Sequence, residues 1–381
     1  MSTLFPFARP LYVMLKPAGS HCNLACTYCY YLGKKELYDG VPRTHRMSDE
    51  LLEHFIREYI QAQTLDEVLF TWHGGEALLR PLDFYRKAIR LQRRHAQGKR
   101  ITNCLQTNGT LLNEEWARFL HDQRWLVGVS IDGPQDVHDA FRRTPAGQAT
   151  WARVRRGIDL LDRFHVEWNA MAVVNSTNAE KPLEFYRFFR DELGCRHLQF
   201  APIVEKGLDC NVRPEQWGTF LCGMFDEWYR HDVGEMFVQL FDATLANWVG
   251  VQPGVCTLAR ECGHAAVMEF NGDVYSCDHF VFPEYRLGNL REQTLVEMLY
   301  SPRQTAFGRA KHETLPCQCR ECTWLFACHG ECPKNRMPNG VNYLCEGYRR
   351  FFAHVAPAMD QMKWRLQHGL PAVPPPSLNP G

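Results

Sequence analysis

The chain of 381 residues contains no run of about 18 apolar residues, so no membrane-spanning helix is expected. Its start, MSTLFPFARP, has neither the charged head nor the apolar core of a secretory leader, which points to a cytoplasmic protein. Charge of one sign is not in excess: Lys+Arg and Asp+Glu both number 43. That removes the usual long-range pull toward nucleic acid or anionic lipid. No internal repeat is present either. Disulfides do not persist in a reducing compartment, yet the chain carries 16 cysteines. Metal ligation is the better explanation for so many thiols.

The cysteines are unevenly placed. Cys22, Cys26 and Cys29 are spaced C-x3-C-x2-C in the string GSHCNLACTYCYYL, just after the apolar run LYVML. Three thiolates on one short loop can hold three corners of a [4Fe–4S] cluster, leaving one iron open for chemistry. The bland alternative is a zinc knuckle, which needs four ligands, and His21 sits too close to Cys22 to share a metal with it. Cys104, Cys195, Cys210 and Cys222 show no ligand spacing and read as core or incidental thiols. A second group follows: Cys256, Cys262 and Cys277, then Cys319, Cys322, Cys328 and Cys332, then Cys345, with Cys317 a spare beside Cys319. Two structural zincs are the alternative here.

Over the first 230 or so residues, strand-like and helix-like segments alternate. The strands are YVMLK (12–16), EVLFTW (67–72), ITNCLQT (101–107), WLVGVSID (125–132), EWNAMAVV (167–174) and HLQFAPI (197–203). One helix starts after Ser48, with Leu51, Leu52, Phe55, Ile56, Tyr59 and Ile60 on one stripe, and another after Asn113. Six β/α units imply a parallel sheet with outer helices, short of the eight that close a barrel. The cysteine loop, Gly74-Gly75-Glu76, Asn108-Gly109 and Ser130 to Asp132 all fall at C-terminal strand ends, where β/α sites gather. From about 250, Cys, Gly and Pro rise. MEFNGDVYSC reads as a hairpin with Asn271-Gly272 in a type I′ turn. A final helix is expected at roughly 346–367, and the tail PAVPPPSLNPG is expected to be disordered.

C-x3-C-x2-C with Tyr28 before the last cysteine resembles the signature of radical S-adenosylmethionine (SAM) enzymes. The later cysteines, with Gly272 between Cys262 and Cys277, resemble the SPASM domain of peptide-modifying members. CNLACTYCYYL, LQTNGTLL, VSIDGP, LQFAPIVE and YSCDHFVFPEYRLGNL are most similar to anaerobic sulfatase-maturating enzymes. The resemblance implies an α/β fold: a partial (β/α)6 radical SAM barrel over 1–245 and a cysteine-rich SPASM domain over 250–346 with its β-hairpin. A C-terminal helix at 347–370 and a Pro-rich tail at 371–381 would complete it.

The family oxidises a cysteine or serine of a sulfatase, within C/S-x-P/A-x-R, to Cα-formylglycine. By the same resemblance, Cys22, Cys26 and Cys29 hold the SAM-binding [4Fe–4S] cluster. Cys256, Cys262, Cys277 and Cys332 hold one auxiliary cluster, and Cys319, Cys322, Cys328 and Cys345 the other. Tyr28, Gly74, Gly75, Glu76, Ser130, Arg142 and Val204 would contact SAM, with Ala77 where the family usually has Pro. Asp278 matches the catalytic base and would need a pKa raised by desolvation. Tyr31 is either a substrate contact or packing under the loop. A flavodoxin or ferredoxin type electron donor is expected. The alternatives are a SPASM enzyme forming thioether or carbon–carbon crosslinks, and a metal-binding or electron-carrying scaffold.

Overall fold

A computed structural model describes residues 10–38 and 45–374; residues 375–381 of the Pro-rich tail lie outside the described residues. The chain folds as two compact units. The first holds the described residues up to Ser130, Phe141–Trp168 and Gly263–Arg309; the second holds Ile131–Ala140, Asn169–Cys262 and those from Ala310 onward.

In the first unit, strands β1 (Tyr12–Lys16), β2 (Glu67–Trp72), β3 (Arg100–Thr107) and β4 (Leu126–Ser130) lie side by side in parallel. Helices between them cover the sheet. Ser48 accepts a hydrogen bond from the Leu51 N–H and caps the helix Asp49–Ala62, whose buried stripe is the one the periodicity predicts. Asn113 caps Glu114–Asp122 in the same way, through the Trp116 N–H. Phe55, Tyr59, Phe70, Trp72, Tyr85 and Trp125 then pack as a chain of stacked and edge-on rings. Each such side chain contributes about 1.5–3 kcal/mol by leaving water.

The other edge of β1 is filled from far along the chain. β8 (Ala265–Glu269) runs parallel to β1, with Tyr12 opposite Ala265 and Lys16 opposite Glu269. β9 (Asp273–Tyr275) and β10 (Arg286–Asn289) follow in antiparallel order. The expected hairpin is present but its turn is not type I′. Gly272 is left-handed (φ +94) and Asn271 is not, and the Gly272 N–H donates to the Glu269 carbonyl at 3.0 Å. Asn271 instead accepts the Asp273 N–H through its side chain, a local bond that stabilises an ordinary turn before the glycine.

In the second unit, β5 (Trp168–Val174), β6 (His197–Pro202) and β7 (Phe237–Val238) are parallel neighbours. The helix Pro214–His231 packs on the last helix, Cys345–Gln367. Two glycines permit that approach: a Cβ on Gly347 would sit 2.4 Å from the Pro214 carbonyl, and one on Gly218 3.1 Å from Gly347. Helices within 302–328 were not apparent from the sequence. Pro302–Glu313 is one, followed by the short Cys317–Arg320 and Leu325–Cys328.

Candidate active site

The loop after β1 carries Cys22, Cys26 and Cys29, and backbone contacts hold it on two sides. The Gly75 N–H donates to the Gly19 carbonyl at 2.8 Å and the Glu76 N–H to the His21 carbonyl at 2.7 Å. The Ala25 and Thr27 N–H groups donate to the carbonyls of Arg143 and Phe141. A Cβ on Gly75 would lie 2.2 Å from the His21 oxygen, so only glycine fits there. The Leu24 N–H (3.3 Å) and Asn108 Nδ2 (3.7 Å) both donate to Cys22 Sγ. Burial, then Glu76, Cys26 and Cys29, push the Cys22 thiol up to about 12. A Cys22 thiol that resists ionising alone, with two further thiols beside it and donors aimed at its sulfur, suits a multinuclear cationic cluster.

Glu76 is fully enclosed. Its carboxylate accepts from Leu78 N–H, Asn108 N–H and Thr107 Oγ1 at 2.7–2.8 Å, which ties the β2 loop to the β3 loop. Tyr28 and Arg142 are buried, and the Arg142 guanidinium lies 5.5 Å over the Tyr28 ring. Ser130, at the end of β4, accepts from Gln106 at 3.1 Å. Gly74 (φ +146) takes the turn before Gly75. Val204 belongs to the second unit, where its carbonyl accepts from Lys334 at 3.2 Å.

Asp278 follows Cys277 after β9, and its side chain keeps 17% exposure. Tyr30 donates its hydroxyl to one carboxylate oxygen, and Lys16 pairs with the other. His73 and His279 are close by. Burial alone would raise the Asp278 pKa, but Lys16, with His73 and His279, outweighs it and holds the carboxyl well below the usual range. The expectation of a raised pKa is therefore overturned, and the cause is Lys16, a residue the sequence did not single out. Burial, with Lys16 adding to it, holds the His73 pKa down at about 4. Tyr31 points the other way. It is 4% exposed, packs on Val267, Tyr275 and Val281, and donates to Glu269. The tyrosine that meets Asp278 is its neighbour, Tyr30.

In the second unit, Cys319, Cys322, Cys328 and Cys345 line one cavity of about 220 Å³ with Trp324, Leu325, Tyr348 and Phe352. Burial first, then neighbouring acidic groups, pushes the thiols of Cys328 and Cys345 up to about 12 and 11. Four thiols lining one partly open cavity are the number a fully ligated cluster requires. Cys256, Cys262 and Cys332 all act electrostatically on one buried lysine, Lys311. Lys311 donates to the carbonyls of Cys256, Thr257 and Ala259 at 2.6–2.7 Å, and so fixes the loop carrying Cys256. Cys277, the remaining cysteine of that set, lies in the first unit, close to Tyr30.

A model of the radical SAM superfamily matches residues 17–189, and one of the SPASM iron–sulfur cluster-binding domain matches 256–323. A serine-type anaerobic sulfatase-maturating enzyme of Bacteroides thetaiotaomicron is 58% identical, over 96% of this chain and 94% of its own. A cysteine-type enzyme of Clostridium perfringens is 32% identical, over 92% and 97%. The solved structure of native anSMEcpe with bound AdoMet and Cp18Cys peptide superposes with a TM-score of 0.86 at 31% identity, over 94% and 100%. Streptococcus suis SuiB bound to S-adenosylmethionine, at 14% identity and a TM-score of 0.61 over 88% and 77%, shares the fold alone. With a radical SAM fold, a SPASM domain and these relatives, the chain belongs to the anaerobic sulfatase-maturating enzyme family.

Proposed function

We infer that this protein oxidises a serine or cysteine of a sulfatase polypeptide, in a C/S-x-P/A-x-R setting, to Cα-formylglycine. The observation that carries the reading is a partly accessible carboxylate, Asp278, paired with Lys16 and beside the tyrosine that follows Cys29. The 58% identity to a serine-type enzyme, against 32% to a cysteine-type one, favours serine. When bound, the reduced N-terminal cluster and SAM would supply a 5′-deoxyadenosyl radical able to take one hydrogen atom from the substrate Cβ, and the auxiliary clusters would take up the second electron; a thioaldehyde formed from cysteine would then exchange its sulfur for oxygen by hydrolysis, releasing sulfide.

The chain's own residues do the rest. Cys22, Cys26 and Cys29 hold the SAM cluster. Cys256, Cys262, Cys277 and Cys332 hold one auxiliary cluster, and Cys319, Cys322, Cys328 and Cys345 the other. Gly74, Gly75, Ser130, Arg142, Tyr28 and Val204 bind SAM, and Glu76 shapes the loop. Asp278 accepts the substrate hydroxyl or thiol proton. Residues 1–245 form the barrel part and 250–346 the auxiliary-cluster part. Among the described residues no helix is long and apolar enough to cross a membrane. The protein works in the cytoplasm with a flavodoxin or ferredoxin type donor.

The test is anaerobic turnover of the reconstituted protein with SAM, dithionite and peptides containing C-T-P-S-R or S-T-P-S-R, with hydrazide capture of the aldehyde. Capture matters because serine oxidation and a crosslink both remove two hydrogens. Wild type is expected to form aldehyde and 5′-deoxyadenosine. Asp278→Asn should keep its iron and its deoxyadenosine but form aldehyde about 100-fold more slowly. Full aldehyde yield from that variant removes Asp278 from the reaction, and a crosslink in place of aldehyde removes the sulfatase reading.

A further inference from the structure

Beneath Asp278 lies a second, closed layer of charge. Lys16 ends β1, and its side chain has no exposure. Its ammonium pairs with Asp278, outside the line of a hydrogen bond, and lies 3.2 Å from the centre of the Tyr31 ring. Its register partner across the parallel β1–β8 pair is Glu269, also fully buried, which accepts the Tyr31 hydroxyl. Burial pushes the Glu269 carboxyl up to about 8, with Lys16 pulling it back. The two carboxylates facing Lys16 therefore differ: Asp278 keeps some exposure and Glu269 keeps none. A buried ion pair is on average no more stabilising than packed apolar groups of the same volume. A lysine whose charge is directed at the accessible member of the layer calls for a role other than stability.

We propose that Lys16 is a positioning residue for the oxidation. It fixes one oxygen of Asp278 from below while Tyr30 fixes the other, and so it aims the carboxylate at the substrate side chain. The proposal rests on the reading of Asp278 as the base. It requires no contact between Lys16 and substrate: Lys16 and Glu269 are register partners across β1–β8, and Asp278 lies just past β9, the strand that pairs with β8.

The test uses holoenzyme with full iron content. Lys16→Met keeps an unbranched chain of similar length and removes the charge. Deoxyadenosine formation should stay within about twofold of wild type and peptide KM within about threefold, while aldehyde formed per deoxyadenosine falls at least about tenfold. The double variant Lys16→Met with Asp278→Asn should be no worse coupled than Asp278→Asn alone, because Lys16 acts through Asp278. Glu269→Gln, which keeps a hydrogen-bond acceptor for Tyr31, should remain coupled. If Lys16→Met fails to load iron, Lys16→Gln is judged by the same measures.

A coupled Lys16 variant beside an uncoupled Asp278→Asn overturns this proposal alone, as does a double variant multiplicatively worse than either single one. A coupled Asp278→Asn overturns both readings.

Discussion

The two cysteine regions differ in what holds the thiols. At the N-terminal loop, hydrogen bonds reach Cys22–Cys29 and its flanks from the β2 loop, the β3 loop and the Phe141–Arg143 segment, mostly through backbone. At Cys319–Cys345, Cys319 and Cys328 sit on two four-residue helices, Cys322 on the link between them and Cys345 at the start of the last helix, with a left-handed turn at His329 (φ +48) and Glu331 (φ +49) after the second. A four-residue helix has little stability of its own. The N-terminal loop thus takes its shape from the sheet, whereas the Cys319–Cys345 region has little regular structure to hold it; on the proposed assignment, a shared cluster would supply that support. A site that must admit SAM has one ligand fewer, so the fold supplies what ligation does not.

Breaking each region should expose that difference. The largest effect is expected from Gly75→Ala, whose Cβ would meet the His21 backbone oxygen. The cluster loop must move, and deoxyadenosine formation should fall by at least about 100-fold. Iron analysis should show the auxiliary clusters retained. Cys328→Ala should do the reverse. About four iron atoms per chain are lost and segment 317–345 becomes open to limited proteolysis, while deoxyadenosine formation continues without efficient aldehyde production. The smallest effect is expected from Lys311→Met, which strips a donor from three carbonyls. Water can reach some of them, since Cys256 is exposed, so the cost is about 2 kcal/mol, read as a lower melting temperature of the holoenzyme with SAM cleavage unchanged.

Much of this was legible in the sequence because it depends on local signals. β1 and β2 begin and end where the patterns YVMLK and EVLFTW do, and the caps at Ser48 and Asn113 act as read. The four cysteines at 319, 322, 328 and 345 line one cavity. What escaped depends on partners distant in the chain. A lysine ending a strand reads as a solvated charge, and only the pairing with β8 makes Lys16 a buried one. Tyr30 and Tyr31 are indistinguishable until the hairpin arrives and takes one hydroxyl to Asp278 and the other to Glu269. The helix Pro302–Glu313 has almost no apolar stripe, and two of its inward residues are Gln304 and Lys311, each bonded to loop carbonyls. The turn at Asn271-Gly272 was misread because the Asn side chain offered the backbone a local alternative.

The pairing of Tyr12 with Ala265 also has a consequence for synthesis on the ribosome. β1 emerges first and can pair with β2 soon afterward, but its other edge waits for some 250 residues to be translated. Until then an apolar strand presents unpaired N–H and C=O groups to its surroundings, a template for another nascent chain. A fragment ending near residue 245 would keep that edge permanently bare. β1 and the strands at 265–289 are therefore parts of one folding unit, and the segment up to residue 245 should not be recoverable as a soluble piece without them.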